Sequence, residues 1–421
     1  MVVQSKIRIG LFVLLFGTLL ASAPDTPSMA SDTGKTKGLV VTYFWYAMYE
    51  GVDDCPDGPA LGMRRLAEPY LEKMNPEERA KLKSPGNEQQ LAGVLSAFSL
   101  GGTAYGDAID VRAQMYGPPL APNGKYPSGS YGMTPVQDQC SFPQQFEDPP
   151  LRTVQGKIAY GIDLDGGQDT LKSCTHSNFT SPTGQNNVDN QLYRVLGCVD
   201  GFRRRAAEEQ ATSVSAGTME DWFHGVRKDG STTLLIEINN VDDPLNDDDV
   251  EIVLYSSRQA TPYSGAGDNG IPSYSLTASR PEAKVPNTAR GQIIDGVLTT
   301  DPTDLSVPFK PAGVMDEMYY EFRDAQFRLN LLPDGGAEGI LAGYFDIEKA
   351  YYIEFASYYD TARRNAVYDG SCPAIYAAMN KMADGFPDAE TGKCTAISTA
   401  FKVEAVKAFV IHPVQTTAQA N

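Results

Sequence analysis

The run Asp163-Leu164-Asp165-Gly166-Gly167-Gln168-Asp169 sets carboxylates at near-alternate positions beside two glycines. In a turning loop such carboxylates can converge on one point, and glycine tolerates the backbone angles of the turn. Calcium takes six to eight hard oxygen ligands, so this pattern points to a calcium loop. It is not an EF-hand, because the fifth position is Gly167, the sixth Gln168 and the twelfth Cys174 where that loop needs glutamate. Asp189 and Asn190 add oxygens if a Cys174–Cys198 bridge folds the chain back. A solvated Asp/Gly turn is the competing reading. A second acidic stretch, Asn239 to Glu251, has nine Asp, Asn or Glu among 13 residues and offers Asp242, Asp247 and Asp249. Two carboxylates about 6 Å apart in water repel by only about 0.7 kcal/mol. Crowding therefore does not demand an ion there, and an aggregation-resistant hairpin end explains the stretch as well. The candidate ligands are thus Asp163, Asp165, Asp169, Asp189, Asn190, Asp242, Asp247 and Asp249, and the ion expected is a structural Ca²⁺.

Other chemistry finds less support. Gly265-Ala266-Gly267-Asp268-Asn269-Gly270 matches G-x-G-x-x-G, but Pro272 follows where a helix should begin and no βαβ unit surrounds it. No nucleotide and no haem is expected. There is no G-x-S-x-G elbow, since Ser128-Gly129-Ser130-Tyr131-Gly132 has Ser in place of the first Gly. His176, His224 and His412 form no H-E-x-x-H motif, so no catalytic residue is assigned. Tyr319, Tyr320, Tyr344, Tyr351, Tyr352, Tyr358 and Tyr359 crowd one region. They read as strand packing, or as rings that stack on sugars. The expected role is a non-enzymatic binding or envelope-associated module, with carbohydrate or another envelope protein as partner. The alternative is a secreted glycan hydrolase using paired carboxylates.

Residues 1–30 read as an export leader: Lys6 and Arg8, an apolar core from Ile9 to Leu20, then the small-x-small site Ser28-Met29-Ala30. The core is too short to span a bilayer. The expected product is exported, periplasmic or extracellular, without a membrane span. A net charge of -18 disfavours nucleic acid as a partner. Six cysteines in an exported chain imply disulfides. Neighbour pairing, Cys55–Cys140, Cys174–Cys198 and Cys372–Cys394, is the simplest of 15 connectivities.

The elements that must position these residues are mostly strands. KIAYGIDL, TTLLIEIN, VEIVLYSS, GQIIDGVLTT, DLSVPF, MYYEFRDAQFRLNLL and AEGILAGYF are short, rich in β-branched and aromatic residues, and separated by turn residues such as Pro333-Asp334-Gly335-Gly336. Val188 to Val199 repeats at helical spacing, as does Pro373 to Ala383, and Asn75-Pro76-Glu77 starts a helix. Residues 395–411 fit a strand and a helix alike, with a closing strand preferred. The fold expected is mostly β with some α, an antiparallel β-sandwich or jelly roll. Its boundaries are 1–30 for the leader, 31–150 for a helical and loop-rich segment, 151–360 for the sandwich with its inserted helix, and 361–421 for a C-terminal helix and closing strand.

The run DLDGG, Cys174, FTSPTGQNNVDNQLYRVLGC, GQIIDGVL, GYFDIEKAYY and TGKCTAIS resembles a group of exported bacterial proteins with no assigned activity. The resemblance spans most of the chain after residue 150 and implies no catalytic residues.

Overall fold

Along Cys394–Ile411, Phe401, Val403 and Ala405 are buried in the main core at every second position, which is the alternation of a strand. This strand, β11, settles the ambiguity of its period in favour of strand. The computed structural model describes residues 36–60, 75–82, 84, 143–145, 150–166, 174, 176–203, 233–259, 274–279, 286–309, 318–356 and 371–412. Before β11 come β1 (Thr36–Tyr46), β2 (Thr233–Asn239), β3 (Asp247–Ser257), β4 (Tyr274–Thr277) and β5 (Thr288–Ile294). Then follow β6 (Val297–Thr300), β7 (Thr303–Phe309), β8 (Met318–Leu331), β9 (Ala337–Asp346) and β10 (Gly385–Pro387). Among the described residues the ring runs β1-β2-β3-β5-β6-β8-β9-β11, and β11 pairs antiparallel with β1 to close it. β4, β7 and β10 attach outside this path.

The result is a closed eight-stranded antiparallel barrel, which overturns the expected sandwich or jelly roll. Period-two alternation assigns each strand a buried face, but it does not say whether the two sheet edges meet. The edges meet through β1; its apolar, aromatic run from residue 38 reads as a buried strand or a short buried helix, but it lies in the 31–150 segment and outside the expected 151–360 sandwich. Eight strands leave an interior that side chains can fill. Here Phe401 fills it, with ring centroids 4.7 Å from Phe44, 4.4 Å from Tyr46, 5.6 Å from Phe322 and 5.9 Å from Phe345. Ile236, Ile238, Ile252, Leu254, Leu298, Leu329 and Leu341 complete the same core. The Pro333–Gly336 turn joins β8 to β9 as expected, with Gly335 at φ 88°.

α1 (Pro76–Leu82) begins at the expected Asn75 cap, whose Oδ1 accepts from Glu77 N at 2.8 Å. Three further helices close one end. α2 (Gln191–Leu196) is shorter than its apolar repeat suggests, because Val188 and Asp189 are held extended by bridges to Phe179 and Ile162. α3 (Ile347–Tyr351) continues from β9 into a π-helical turn, Tyr352–Ala356. α4 (Cys372–Lys381) is capped by Ser371. Leu196, Phe202, Tyr351, Phe355 and Met379 join the barrel core at this cap end. Among the described residues no helix is long and apolar enough to cross a membrane. The expected leader over 1–30 and most of the helical and loop-rich segment over 31–150 lie outside the described residues.

The expected strand KIAYGIDL makes only isolated bridges at Ile158 and Ile162. It lies on the outer wall, where Ile162 packs with Ala47, Ala342 and Ala400. This folding-back also overturns neighbour pairing of the cysteines: Cys55 bonds Cys198 and Cys174 bonds Cys394. Cys372 is disulfide-bonded as well, to a partner outside the described residues. The two described bridges span 143 and 220 residues. Loop-closure entropy gives each an upper figure of about 5 kcal/mol. We expect non-reducing peptide mapping to find cross-links 55–198 and 174–394 and none joining Cys174 to Cys198. Replacing Cys55 and Cys198 together by Ala should cost about 2–5 kcal/mol of unfolding free energy.

Candidate metal centre

Two short extended pieces build the centre on the outer wall. Asp189 N donates to Ile162 O at 3.0 Å, and Leu164 N donates to Asp189 Oδ2 at 2.7 Å. Ile162 and Leu164 pack with Tyr160 against Ala342 and Ala400 on the wall. The chain then turns at Gly166, whose φ of 72° suits glycine. The carboxylates of Asp163, Asp165 and Asp189 meet here, with ligand oxygens within 4.8 Å of one another. Asp189 is buried and the other two are half-buried.

A further carboxylate backs the group. Asp384 Oδ1 accepts from Ser398 N at 2.7 Å and its Oδ2 from Ser398 Oγ at 2.6 Å. The same Ser398 Oγ accepts from Gln191 N at 2.8 Å, which ties the Asp189 segment to β11. Cys174 N donates to Asp384 O at 2.8 Å, beside the Cys174–Cys394 bridge. Asn190 serves as a brace: its Oδ1 caps α2 through Tyr193 N at 3.2 Å, and its Nδ2 donates to Tyr160 O at 2.8 Å.

Burial, reinforced by Asp165, Asp384 and Asp163, pushes the Asp189 carboxyl up to about 8 against the opposing Leu164 hydrogen bond. Burial likewise pushes Asp384 up to about 7, opposed by its Ser398 bonds and helped by Asp165. The Tyr344 phenol is raised by burial and by Asp189, Asp384 and Asp165. An arrangement that holds carboxylates this close, against their own ionisation, suits a cation that takes hard oxygens.

The remaining expected ligands lie elsewhere. Asp247 Oδ2 accepts from Asp242 N at 2.7 Å and Asp243 N at 3.3 Å, and its Oδ1 accepts from Asp249 N at 3.2 Å. Asp249 pairs with Arg290 at 3.2 Å, both well exposed. That loop is a hairpin end built on side-chain-to-backbone bonds. Among the described residues Asp163, Asp165 and Asp189 are the group of three acidic or metal-ligating side chains that converges. Asp169 and the G-x-G-x-x-G run lie outside the described residues. Of the histidines, His176 Nε2 lies 2.9 Å from Ala383 O, and His412 Nε2 2.9 Å from Glu237 Oε2. Tyr320 and Tyr344 are buried on β8 and β9, as strand packing requires, Tyr351 is buried on α3, and Tyr352 is exposed. Asp384, Ser398 and Tyr344 carry no local motif; only the tertiary fold brings them to the centre.

Comparison with protein-family models, with curated proteins and with solved structures found no match. The chemistry of the centre therefore rests on its geometry.

Both raised carboxyls bind their proton more tightly in the folded chain than in the unfolded one. Metal-free stability should be greatest below about pH 4 as far as these groups are concerned. It should then fall as pH rises towards about 8, since the unfolded state has already released protons that the folded state still holds. Asp189→Asn keeps an acceptor for Leu164 N. We expect it to flatten this decline and to raise the metal-free melting temperature at pH 8.5 by roughly 5 °C, read by calorimetry across pH.

Proposed function

We propose that this chain is an exported, disulfide-stapled β-barrel with a binding or envelope-associated role, and that Asp163, Asp165 and Asp189 hold a structural Ca²⁺. The convergence of those three carboxylates carries the reading. Two observations support the compartment: the long-range disulfides and the leader-like composition of residues 1–30. Calcium is favoured over softer ions because the centre offers carboxylate oxygens. A glycoside-cleaving pair needs carboxyls about 5 Å or more apart around a sugar. Oxygens drawn within 4.8 Å on a wall packed by Ile162 and Leu164 suit an ion better. The site's role is structural, since its ion would join the Asp163–Asp165 and Asp189 pieces of the insertion that Gln191 N ties to Ser398 of β11.

The test is calcium-dependent melting. At a hundredfold excess over Kd the ion adds about 2.7 kcal/mol. The wild-type melting temperature should rise with Ca²⁺ and fall again with EDTA. Asp163→Asn with Asp165→Asn should abolish the response, while Asp242→Asn with Asp249→Asn should keep it. A wild-type melting temperature unmoved by millimolar Ca²⁺ would refute the site.

A further inference from the structure

The two described disulfides sit in different electrostatic surroundings. Cys55 follows β1 in a surface loop where Val52, Asp53, Pro56 and Asp57 are exposed, and it is itself half-buried. Cys198 follows α2 and is fully buried. A 3₁₀ turn, Asp200–Phe202, then brings Arg203 to this bridge, because Phe202 is anchored in the barrel core. Arg203 Nη1 lies 2.7 Å from Cys55 Sγ and donates to Gly197 O at 2.8 Å. No carboxylate among the described residues pairs with Arg203. The Cys174–Cys394 bridge has no such cation on its sulfurs among the described residues. It lies beside Asp384, whose carbonyl accepts from Cys174 N.

A cation at a cysteine sulfur favours the thiolate, and a disulfide is more readily reduced when its reduced form is stabilised. Arg203 supplies that stabilisation to Cys55. The other thiol is provided for as well: Asp54 O lies 3.7 Å from Cys198 Sγ, within reach of a thiol S–H, which is a weak donor. Glu50, Asp53 and Asp57 oppose Arg203 only from exposed positions, where salt screens them. Asp54 is buried, but its Oδ2 is taken by Tyr193 Oη at 2.5 Å and Gly51 N at 2.6 Å. These bonds also mean that the bridge is not alone in holding its two ends together. Besides Tyr193 of α2 on Asp54, Gln155 N donates to Asp54 O at 2.8 Å and Ala60 N to Cys198 O at 2.6 Å. The loop and α2 therefore stay joined when the sulfurs part. Spans of 143 and 220 residues do not order the two bridges, since closure entropy changes slowly with length.

We propose that Cys55–Cys198 is an exchangeable bridge that a dithiol opens while the barrel stays folded, and that Cys174–Cys394 is a permanent staple. Cys198 is out of reach of solvent, so the donor's thiolate attacks Cys55 Sγ. The Sγ–Sγ bond breaks and its electron pair leaves with Cys198 Sγ, which takes up a proton. The donor's second thiolate then attacks the donor sulfur of the mixed disulfide and expels Cys55 as a thiolate beside Arg203. Two electrons have passed to the protein, the dithiol has become a disulfide, and its remaining proton goes to solvent. Opening releases the surface loop around Cys55 from its covalent link and leaves the β1–β11 closure intact. The proposal is independent of the calcium reading, because no residue of this bridge belongs to the metal centre.

The experiment equilibrates the full chain, without oxygen, in dithiothreitol buffers of graded reduced-to-oxidised ratio. Acid quenching, alkylation and peptide mass spectrometry then read the oxidation of each bridge, and circular dichroism reads the fold in the same samples. In the wild type Cys55–Cys198 should open at a reduced-to-oxidised ratio about tenfold lower than Cys174–Cys394 requires, equivalent to about 30 mV for two electrons, with the dichroism unchanged. Arg203→Gln should move the Cys55–Cys198 equilibrium about tenfold towards the disulfide and leave Cys174–Cys394 where it was. Bridges that open together, or Cys174–Cys394 opening first, would overturn the proposal. So would loss of the fold when Cys55–Cys198 opens, or an Arg203→Gln variant that moves neither bridge or both alike. Should Arg203→Gln fail to fold, the order of opening in the wild type decides: Cys55–Cys198 first supports the proposal, and any other order overturns it.

Discussion

Strand β11 is hydrogen-bonded on both edges, to β9 from Ala396 to Ala405 and to β1 from Phe401 to Lys407. The other strands of the described ring close on that double pairing. It removes the free edges that an open sheet would present, and it turns two terminal segments of the chain into neighbours. It also points Phe401 inward, where it touches rings from β1, β8 and β9 at once. The bulge between Val41 and Tyr43 lets β1 follow the curvature that closure demands.

Closure also creates the outer wall on which the long insertion between β1 and β2 can fold. Small residues on that wall, Ala342 and Ala400, let Ile162 approach closely. Ser398, facing outward from β11, bridges Asp384 to the Asp189 segment. Disulfides then hold the same insertion at two points, Cys198 after α2 and Cys174 beside Asp384. The carboxylate cluster thus depends on the barrel for its seat: its acids and the bonds that space them belong to the insertion, and Gln191 N ties that insertion to Ser398 of β11. Lys402 over the Tyr160 ring at 3.9 Å adds a further contact from the same strand.

Much of this was legible locally. Strands β2, β3 and β5 to β9, the Asn75 helix cap and the Pro333–Gly336 turn follow from period-two alternation and from turn chemistry, whereas the four-residue β4 does not. Asp163 and Asp165 could be grouped because alternate carboxylates near glycine suggest convergence; Asp189 is expected to join them through a Cys174–Cys198 bridge, whereas the Ile162–Asp189 backbone bridge brings it there. The closure was not legible, because an inward face reads the same in a barrel and in a sandwich. Nor were the bridges, since pairing by nearness in the chain assumes that each segment folds on itself. Here the described residues of 150–203 pack on strands that lie both before and after them. Asp384 and Ser398 were illegible for the same reason: single polar residues in a strand region gain meaning only from what is folded against them.

The closure of the barrel is most directly tested by amide-to-amide nuclear Overhauser effects in the perdeuterated protein. With the ring closed, the β1 amides from Leu39 to Tyr46 should show cross-strand contacts to β11, among them those flanking the Val41–Ala405 and Phe44–Val403 pairs, and the β1 amides near Leu39 should also show contacts to β2 around Ile236. Contacts from β1 to β2 alone, with none to β11, would mean an open sheet and would contradict the account.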